Sequence, residues 1–537
     1  MQDKSFQAAS GAAVSGAPGT ASAAQPADSS GGETIAAIVT APGRGGVGIV
    51  RLSGPRALAV AQSLFRSARP DFRGFKPYRL HHGRLHDLSG RPLDDVLAAF
   101  MPGPGSYTGE DVAEFHCHGS PAVLRAVLDA AVALGARHAR PGEYTLRAFL
   151  NGRMDLSQAQ AVAELVAADS PEGARLALDR LEGLMGRRVR ALRELLEASR
   201  VEICLAVDFP EDEVECLDPQ AFQARLDEVM AGIRALLAAH ERARPFREGA
   251  SAVLAGPVNA GKSSLLNALV GRERALVSER AGTTRDFLEE QVVLDGLPVR
   301  LADTAGLRDC PDPVEREGLA RGLALAREAA LTLLVVDGSR PLDGEVLRRL
   351  PGAARQDPES GEEDARAPGD GQVRDLILDP ARVLAVVNKA DLPPCASAAG
   401  DAETAPLAAS APSPASTRDA ERDPCARLTR EGFECVRVSA RTGQGLESLC
   451  ARLRERILGG GEPVESRGPA PSERERALLS LALEELSALT ADLAAGTPPD
   501  LLGVRLETAC GHLSAITGEI APDEVLRSVF DGFCIGK

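Results

Sequence analysis

The chain has 537 residues, 44% of them hydrophobic, which is enough apolar material for two to four domains with proper cores. Its net charge of −16 argues against a protein that grips nucleic acid through a broad basic surface. No apolar run is long enough to span a bilayer, and the ten cysteines include no CxxC pair, so a membrane anchor, a zinc ribbon and a thioredoxin-type site are not expected.

In chain order, residues 1–32 are Ala, Gly and Ser with scattered polar residues and read as a disordered extension. They lack both a secretory core and an Arg-rich presequence, so a cytoplasmic location is expected. Strand-like runs follow: "TIAAIVT", "GVGIVRLSG", "DDVLAAFM" and "DVAEFHCHG", separated by Pro/Gly turns such as "PGPGSYTGED". The helix "SPAVLRAVLDAAVALG" has Ser120 as N-cap and Pro121 at the first position. The resulting α+β domain is placed at 33–152. Its Tyr78, Tyr107 and Tyr144 read as core or interface aromatics. His116-Cys117-His118 has metal-binding residue types, but neighbours on a strand alternate faces and no second ligand pair stands nearby.

From 153 to 248 the spacing turns helical, broken by "DFPEDE", and helical spacing returns from 462 to 537. Alternating strands and helices fill 249–461, which predicts an α/β domain inserted into a helical one. Within it, 351–376 and 393–428 are rich in Ala, Pro, Ser and acids and read as disordered loops.

The inserted domain carries the chemistry. "GPVNAGKSS" matches the phosphate-loop pattern G-x-x-x-x-G-K-[ST], with an apolar strand before it and a helix after. Backbone N–H groups and the helix N-terminus would cradle phosphates, with Asn259, Ala260, Gly261, Lys262, Ser263 and Ser264 lining the site. Lys262 would reach the β- and γ-phosphates and Ser263 would bind Mg²⁺. "DTAG" (Asp303, Thr304, Ala305, Gly306) follows a strand that pairs back through an Asp295-Gly296 hairpin; Asp303 would hold Mg²⁺ through water and the Gly306 amide would sense the γ-phosphate. In "NKAD" (Asn388, Lys389, Ala390, Asp391) the carboxylate can accept two hydrogen bonds from guanine, which adenine cannot give; hence GTP. "SAR" (Ser439, Ala440, Arg441) sits where an amide would read the guanine oxygen.

Composition adds weight. Only five of the 61 basic residues are lysine: Lys4, Lys76, Lys262, Lys389 and Lys537. Three of these fall in motifs, where a slim ammonium stem differs most from an arginine fork. Leu307 stands where Ras-like enzymes place a water-orienting Gln. Another device is therefore needed. Asn259 and the Gly/Thr switch "SERAGTTRD" can bind a monovalent cation between them; alternatively Asn259 is only a loop residue.

Nine stretches together resemble the MnmE (TrmE) family of tRNA uridine-modifying GTPases. They are "PGRGGVGIVRLSG", "PGSYTGEDVAEFHCHG", "RPGEYTLRAFLNGRMDLSQAQAV", "NAGKSSLLNAL", "AGTTRD", "DTAGLR", "NKAD", "SARTGQGLE" and the closing "FCIGK". The resemblance implies an N-terminal α+β folate-binding and dimerisation domain, a discontinuous helical domain and an inserted Ras-like P-loop GTPase domain. It implies a homodimer whose K⁺ is held by Asn259, Ser278, Arg280 and Thr283, with Glu279, Ala281 and Gly282 completing the switch. Thr284 would join Ser263 on Mg²⁺, and Glu315 would be the catalytic carboxylate. By position, Arg51, Glu114, Arg153 and Lys537 would line a 5-formyltetrahydrofolate pocket, with Arg153 where relatives carry Lys; Cys534 is a possible reactive thiol. The resemblance further implies a heterotetramer with an FAD-containing MnmG-type partner, acting on the tRNA wobble uridine to give 5-carboxymethylaminomethyl or aminomethyl uridine. The rival reading is an Era-like ribosome-assembly GTPase that binds RNA, which would call for a basic KH domain.

Overall fold

A computed structural model of the chain describes residues 32–208, 218–257, 259–272, 289–303, 329–342, 380–393, 423–459, 468–534 and 536. The chain divides into two compact units, one ending at Arg153 and rejoined from Phe530 onward, the other running Met154–Val529.

The first unit is built on a seven-stranded sheet. Its strands are β1 (Ile35–Ile38), β2 (Gly45–Ser53), β3 (Phe65–Ser67), β4 (His81–His86), β5 (Pro92–Met101), β6 (Val112–Gly119) and β7 (Arg137–His138), in the order β3-β4-β5-β6-β2-β1-β7. Only the β1–β7 pair is parallel among its neighbours. Alternate residues of β2, β5 and β6 (Val50, Leu52, Val96, Ala98, Ala113, Phe115, Cys117) enter one core with helices α1 (Ala57–Leu64) and α2 (Pro121–Ala133). The opposite alternation puts Arg51, Glu114, His116 and His118 on the other face. The four predicted strands and α2 are present. Strands β3, β4 and β7 and helices α1 and α3 (Glu143–Leu150) are additional. Ser120 occupies the N-cap of α2 in extended conformation without a side-chain cap bond, so Pro121 carries that helix start.

The last residues of the stretch expected to be helical, from Phe530 on, return to the first compact unit. Phe530 packs on Phe149 and Phe533, with ring centroids 6.5 and 5.4 Å away. At Gly142, with φ +66, a Cβ would lie 2.6 Å from the Phe530 carbonyl oxygen, so no side chain fits between the two segments. These apolar contacts draw residue 530 onward into the first unit rather than onto the helices.

The second unit combines helices with a six-stranded sheet. The helices before the sheet are α4 (Leu156–Ala167), α5 (Pro171–Leu181), α6 (Leu184–Asp208) and α7 (Pro219–Glu248). The sheet strands are β8 (Ala250–Ala255), β9 (Glu289–Leu294), β10 (Leu297–Asp303), β11 (Leu331–Asp337), β12 (Val383–Asn388) and β13 (Glu434–Arg437), ordered β13-β12-β11-β8-β10-β9. All neighbours are parallel except β9–β10, joined by Asp295 and Gly296, both at positive φ as a two-residue hairpin demands. Near-continuous apolar runs such as "LTLLVV" mark strands buried on both faces. Helices α8 (Lys262–Arg272), α9 (Pro424–Arg430) and α10 (Leu446–Ile457) belong to this part, and α11 (Glu473–Ala494), α12 (Pro499–Thr517) and α13 (Asp523–Asp531) follow.

Of the two expected loops, 351–376 and nearly all of 393–428 (394–422) lie outside the described residues, and helix α9 corrects only the end of the second, from Pro424. Acid-rich composition hid a local start signal, in which Asp423 accepts from the Cys425 and Ala426 amides and Pro424 takes the first position. The proposed domain border at 248/249 is crossed by packing: Leu176 of α5, Ala243 and Phe246 of α7 and Ala470 share one core with the sheet. Where α5 meets α11, Arg180 and Glu475 form an ion pair at 3.1 Å with both side chains essentially buried, and Glu164 adds a second carboxylate. Ser472 caps α11 through a reciprocal capping box with Glu475. The helices also have a core of their own, in which Phe222, Ile233, Leu486 and Leu513 are fully buried.

Candidate functional site

Four strand ends shape the nucleotide site. The chain leaves β8 at Gly256, where φ is +143 and a Cβ would lie 2.1 Å from the Val335 carbonyl oxygen. Only glycine lets the loop pass this close to β11. Asn259 is exposed in left-handed conformation (φ 64), the backbone shape that turns successive N–H groups toward one centre. The Lys262 ammonium donates to the Gly256 and Pro257 carbonyls at 3.0 and 2.9 Å, so the buried lysine spans the mouth of its own loop. Ser263 and Ser264 open α8, both exposed.

Asn388 ties the motifs together. Its buried Nδ2 donates to the Ala260 carbonyl at 3.0 Å, reaching the phosphate loop from the end of β12. Its Oδ1 accepts from the Lys389 amide at 2.8 Å and the Ala440 amide at 3.1 Å. One side chain thus sets the spacing of "NAGK", "NKAD" and "SAR". The SAR turn, read as the source of an amide for the guanine oxygen, has its Ala440 amide on Asn388 Oδ1. Ser439 Oγ donates to Asp391 Oδ1 at 2.7 Å, and Arg441 pairs with Asp391 Oδ2 at 3.0 Å. The Ser439 bond leads the effects that hold the Asp391 carboxyl below the usual range. A carboxylate so held is ionised and aimed, which is what two guanine N–H donors require. The Ala390 amide donates to Val438 O at 3.0 Å, locking the NKAD turn to the strand before SAR.

The structure places Asp303 at the C-terminal end of β10, in register with Leu254 of the phosphate-loop strand. Thr304, Ala305, Gly306, Ser278, Glu279, Arg280, Ala281, Gly282, Thr283, Thr284 and Glu315 lie outside the described residues, as does Lys537.

A second constellation stands on the first unit's sheet. Arg51 and Glu114 are cross-strand partners on β2 and β6, with Arg51 Nε donating to Glu114 Oε1 at 2.7 Å. The Arg51 guanidinium lies 5.9 Å from the Tyr107 ring centroid and 5.7 Å from that of Tyr144, a cation held between two aromatic faces. Tyr144 is fully buried and donates to the Arg51 carbonyl at 2.8 Å, while Tyr107 shares a 2.9 Å hydrogen bond with Thr145. Burial raises both phenols above their usual range, so both are neutral. Burial also works against the Glu114 carboxylate, but the His116 bond at 3.2 Å and the Arg51 charge prevail and lower its pKa. Beneath, Glu143 joins Arg137 and Arg147 at 2.6 and 3.0 Å, and Arg147 also binds Glu110. Burial opposes this charge too, yet Arg137, the Arg140 amide and Arg147 hold Glu143 at about 2.

Of the predicted residues, Arg51 and Glu114 are in direct contact. Arg153 is exposed, with its stem near Gly109 on the loop that carries Tyr107. Cys534 is exposed, and its carbonyl faces the Gly142 amide at 3.5 Å. Gly536 sits against the end of β1, where a Cβ would be 2.9 Å from Ile38 O, and Ala37 of that strand pairs with Arg51. The sequence reading missed the roles of Tyr107, Tyr144 and His116 around Arg51, and of Asp337 at the nucleotide site. The period-2 step from Glu114 to His116 was the available signal for the histidine. Tyr78, read as a core or interface aromatic, is 60% exposed.

A family model described as the MnmE helical domain matches residues 156–534, and one described as GTP-binding protein TrmE N-terminus matches residues 34–153. The tRNA modification GTPase MnmE of Nitratidesulfovibrio vulgaris (strain DP4) is 47% identical over 508 residues, 94% of this chain and 99% of that protein. The protein of the same name from Lawsonia intracellularis is 40% identical over 509 residues, 94% of this chain and all of its own length. That from Synechococcus sp. (strain JA-3-3Ab) is 40% identical over 507 residues, 94% of this chain and 98% of its own.

Proposed function

The chain belongs to the MnmE family of tRNA modification GTPases, and from that premise we propose that it hydrolyses GTP in the modification of the tRNA wobble uridine. The observation that carries the nucleotide half is Asn388, which joins phosphate loop and base-reading turn through hydrogen bonds at 3.0, 2.8 and 3.1 Å. The Asp391 carboxylate favours guanine. Lys262 and the amides after Gly256 favour a β/γ-phosphate pair, and Ser263 at the head of α8, with Thr284 of the switch, would hold Mg²⁺, which would neutralise phosphate charge.

Leu307 cannot orient water, so the proposal includes K⁺ at Asn259 and, from the switch, Ser278, Arg280 and Thr283. The exposed, left-handed Asn259 is the described member of that set. Glu315 is the proposed catalytic carboxylate. A homodimer would bring two nucleotide sites together.

The chemistry of the sheet constellation fits 5-formyltetrahydrofolate, a one-carbon donor. A guanidinium can pair carboxylates, a carboxylate can pair a pterin's N–H groups, and aromatic faces can flank a ring. Arg51, Glu114, Arg153 and Lys537 are the proposed contacts. FAD would be supplied by an MnmG-type partner in a heterotetramer.

GTP turnover in KCl and in NaCl tests the cation reading. Wild type is expected to be faster in KCl. Asn259→Ala should lose the difference, and Glu315→Ala should fall roughly 100-fold or more in either salt. Equal wild-type rates in the two salts would remove the cation from the mechanism. Retention of the modified wobble uridine in tRNA from a deletion strain would remove the tRNA role.

A further inference from the structure

Lysine is scarce in this chain, and Lys389 is held at both ends. Its backbone is left-handed (φ 65), with its amide given to Asn388 Oδ1 at 2.8 Å and its carbonyl taken by the Leu392 amide at 3.0 Å. Its ammonium meets Asp337 Oδ2 at 2.6 Å. Asp337 is the last residue of β11 and stands in register with Asn388 on β12. The Gly338 amide donates to the Asn388 carbonyl at 2.8 Å, so the turn after β11 is pinned to the start of the NKAD turn. The other carboxylate oxygen of Asp337 accepts the Ser339 amide at 2.9 Å and the Ser339 hydroxyl at 2.6 Å. Arg340 is a poor rival for the carboxylate, 4.0 Å away and largely exposed.

We propose that Asp337 is a positioning residue for guanine recognition, acting through Lys389. With its Cα and its ammonium both fixed, the four-carbon stem is a preset apolar bar on which one face of the base can rest. Its rotamers are then ordered before the nucleotide arrives, which lowers the entropy lost on binding. An arginine would present a broad fork in place of a point charge, and a single carboxylate oxygen already committed to this geometry would not seat it equally well. Asp337 touches no substrate atom in this scheme. The inference rests on the guanine-nucleotide reading of the site.

The test is equilibrium binding of a fluorescent GDP, with steady-state GTP turnover, for wild type, Asp337→Asn, Lys389→Met and the double variant. Asp337→Asn keeps shape and removes charge. It should raise the GDP Kd about ten-fold and the KM for GTP in parallel, with kcat within about two-fold. In the Lys389→Met background the same change should add less than about two-fold, since the residue acts through that lysine. Ser339→Ala, which only loosens the carboxylate, should give about a three-fold rise and covers the case of a poorly folded Asp337 variant. Unchanged GDP affinity in both variants overturns the inference, as does a full ten-fold loss added on top of Lys389→Met. A wild type that binds no GDP overturns the nucleotide reading itself, a different result from indifferent variants of a protein that binds normally.

Discussion

At the candidate nucleotide site the groups are placed by backbone path, in tight turns at the ends of parallel strands: the loop after Gly256, the NKAD turn and the SAR turn. On the first unit's sheet they are side chains, with Arg51, Tyr107, Glu114 and Tyr144 brought together by register and by α3. A backbone-built site depends on chain path, so its sensitive positions are those where no side chain fits. A side-chain-built site depends on ion pairs and ring contacts, so its sensitive positions are charges and aromatics.

The strongest way to break this comparison is Gly256→Ala. A methyl group 2.1 Å from the Val335 carbonyl must push β8 and β11 apart. A loss of about 4 kcal/mol or more, with GDP binding abolished, is expected in urea unfolding and calorimetry. Normal nucleotide binding by this variant would mean that the path of the loop is not what builds the site.

A middle-sized effect sharpens the charge side. Glu143 is held at about 2 in the folded protein, below its ordinary value. A lowered folded pKa stabilises the fold above the unfolded value and loses that contribution as pH falls. The first unit should therefore lose on the order of 3 kcal/mol between about pH 5 and pH 2. Glu143→Gln should be less stable than wild type at pH 7 and flatter over that window when unfolding is followed against pH. Parallel pH curves for the two proteins would show that Glu143 is not the group responsible.

The smallest effect is Glu114→Gln. The Arg51 guanidinium keeps its two aromatic faces but exchanges a charged acceptor for a neutral one, at a cost of about 1–2 kcal/mol in thermal or urea unfolding. On the proposed folate reading, 5-formyltetrahydrofolate binding followed by calorimetry should weaken at least about ten-fold, because the proposed pterin contact is removed with little change in fold. Unchanged folate affinity would move that ligand away from Glu114.

The same contrast explains what could be read before the fold was known. Backbone sites need particular residues in consecutive positions, so "GPVNAGKSS", "NKAD" and "SAR" were legible as strings, and the two-residue hairpin at Asp295-Gly296 was legible from its turn chemistry. Arg51 and Glu114 are 63 residues apart and meet only through strand register, so a resemblance to known proteins was needed to pair them. Strand β4, "HHGRLH", shows no apolar alternation to the eye, because its buried positions are Gly83 and Leu85. Asp337 was hidden for a different reason. An aspartate ending an apolar strand looks like an ordinary turn residue until the parallel neighbour brings Lys389 beside it.

The return of residues 530–536 to the first unit has a consequence for biogenesis. Helix α3 and the end of β1 receive their last packing partners, Phe530, Phe533 and Gly536, from a segment translated about 380 residues after Arg153, which at roughly 5–20 residues per second is a delay of about 20–75 s. During that interval the nascent sheet would hold Phe149 open to water, whereas the core of the six-stranded sheet, among the described residues, reaches no further downstream than Ala470.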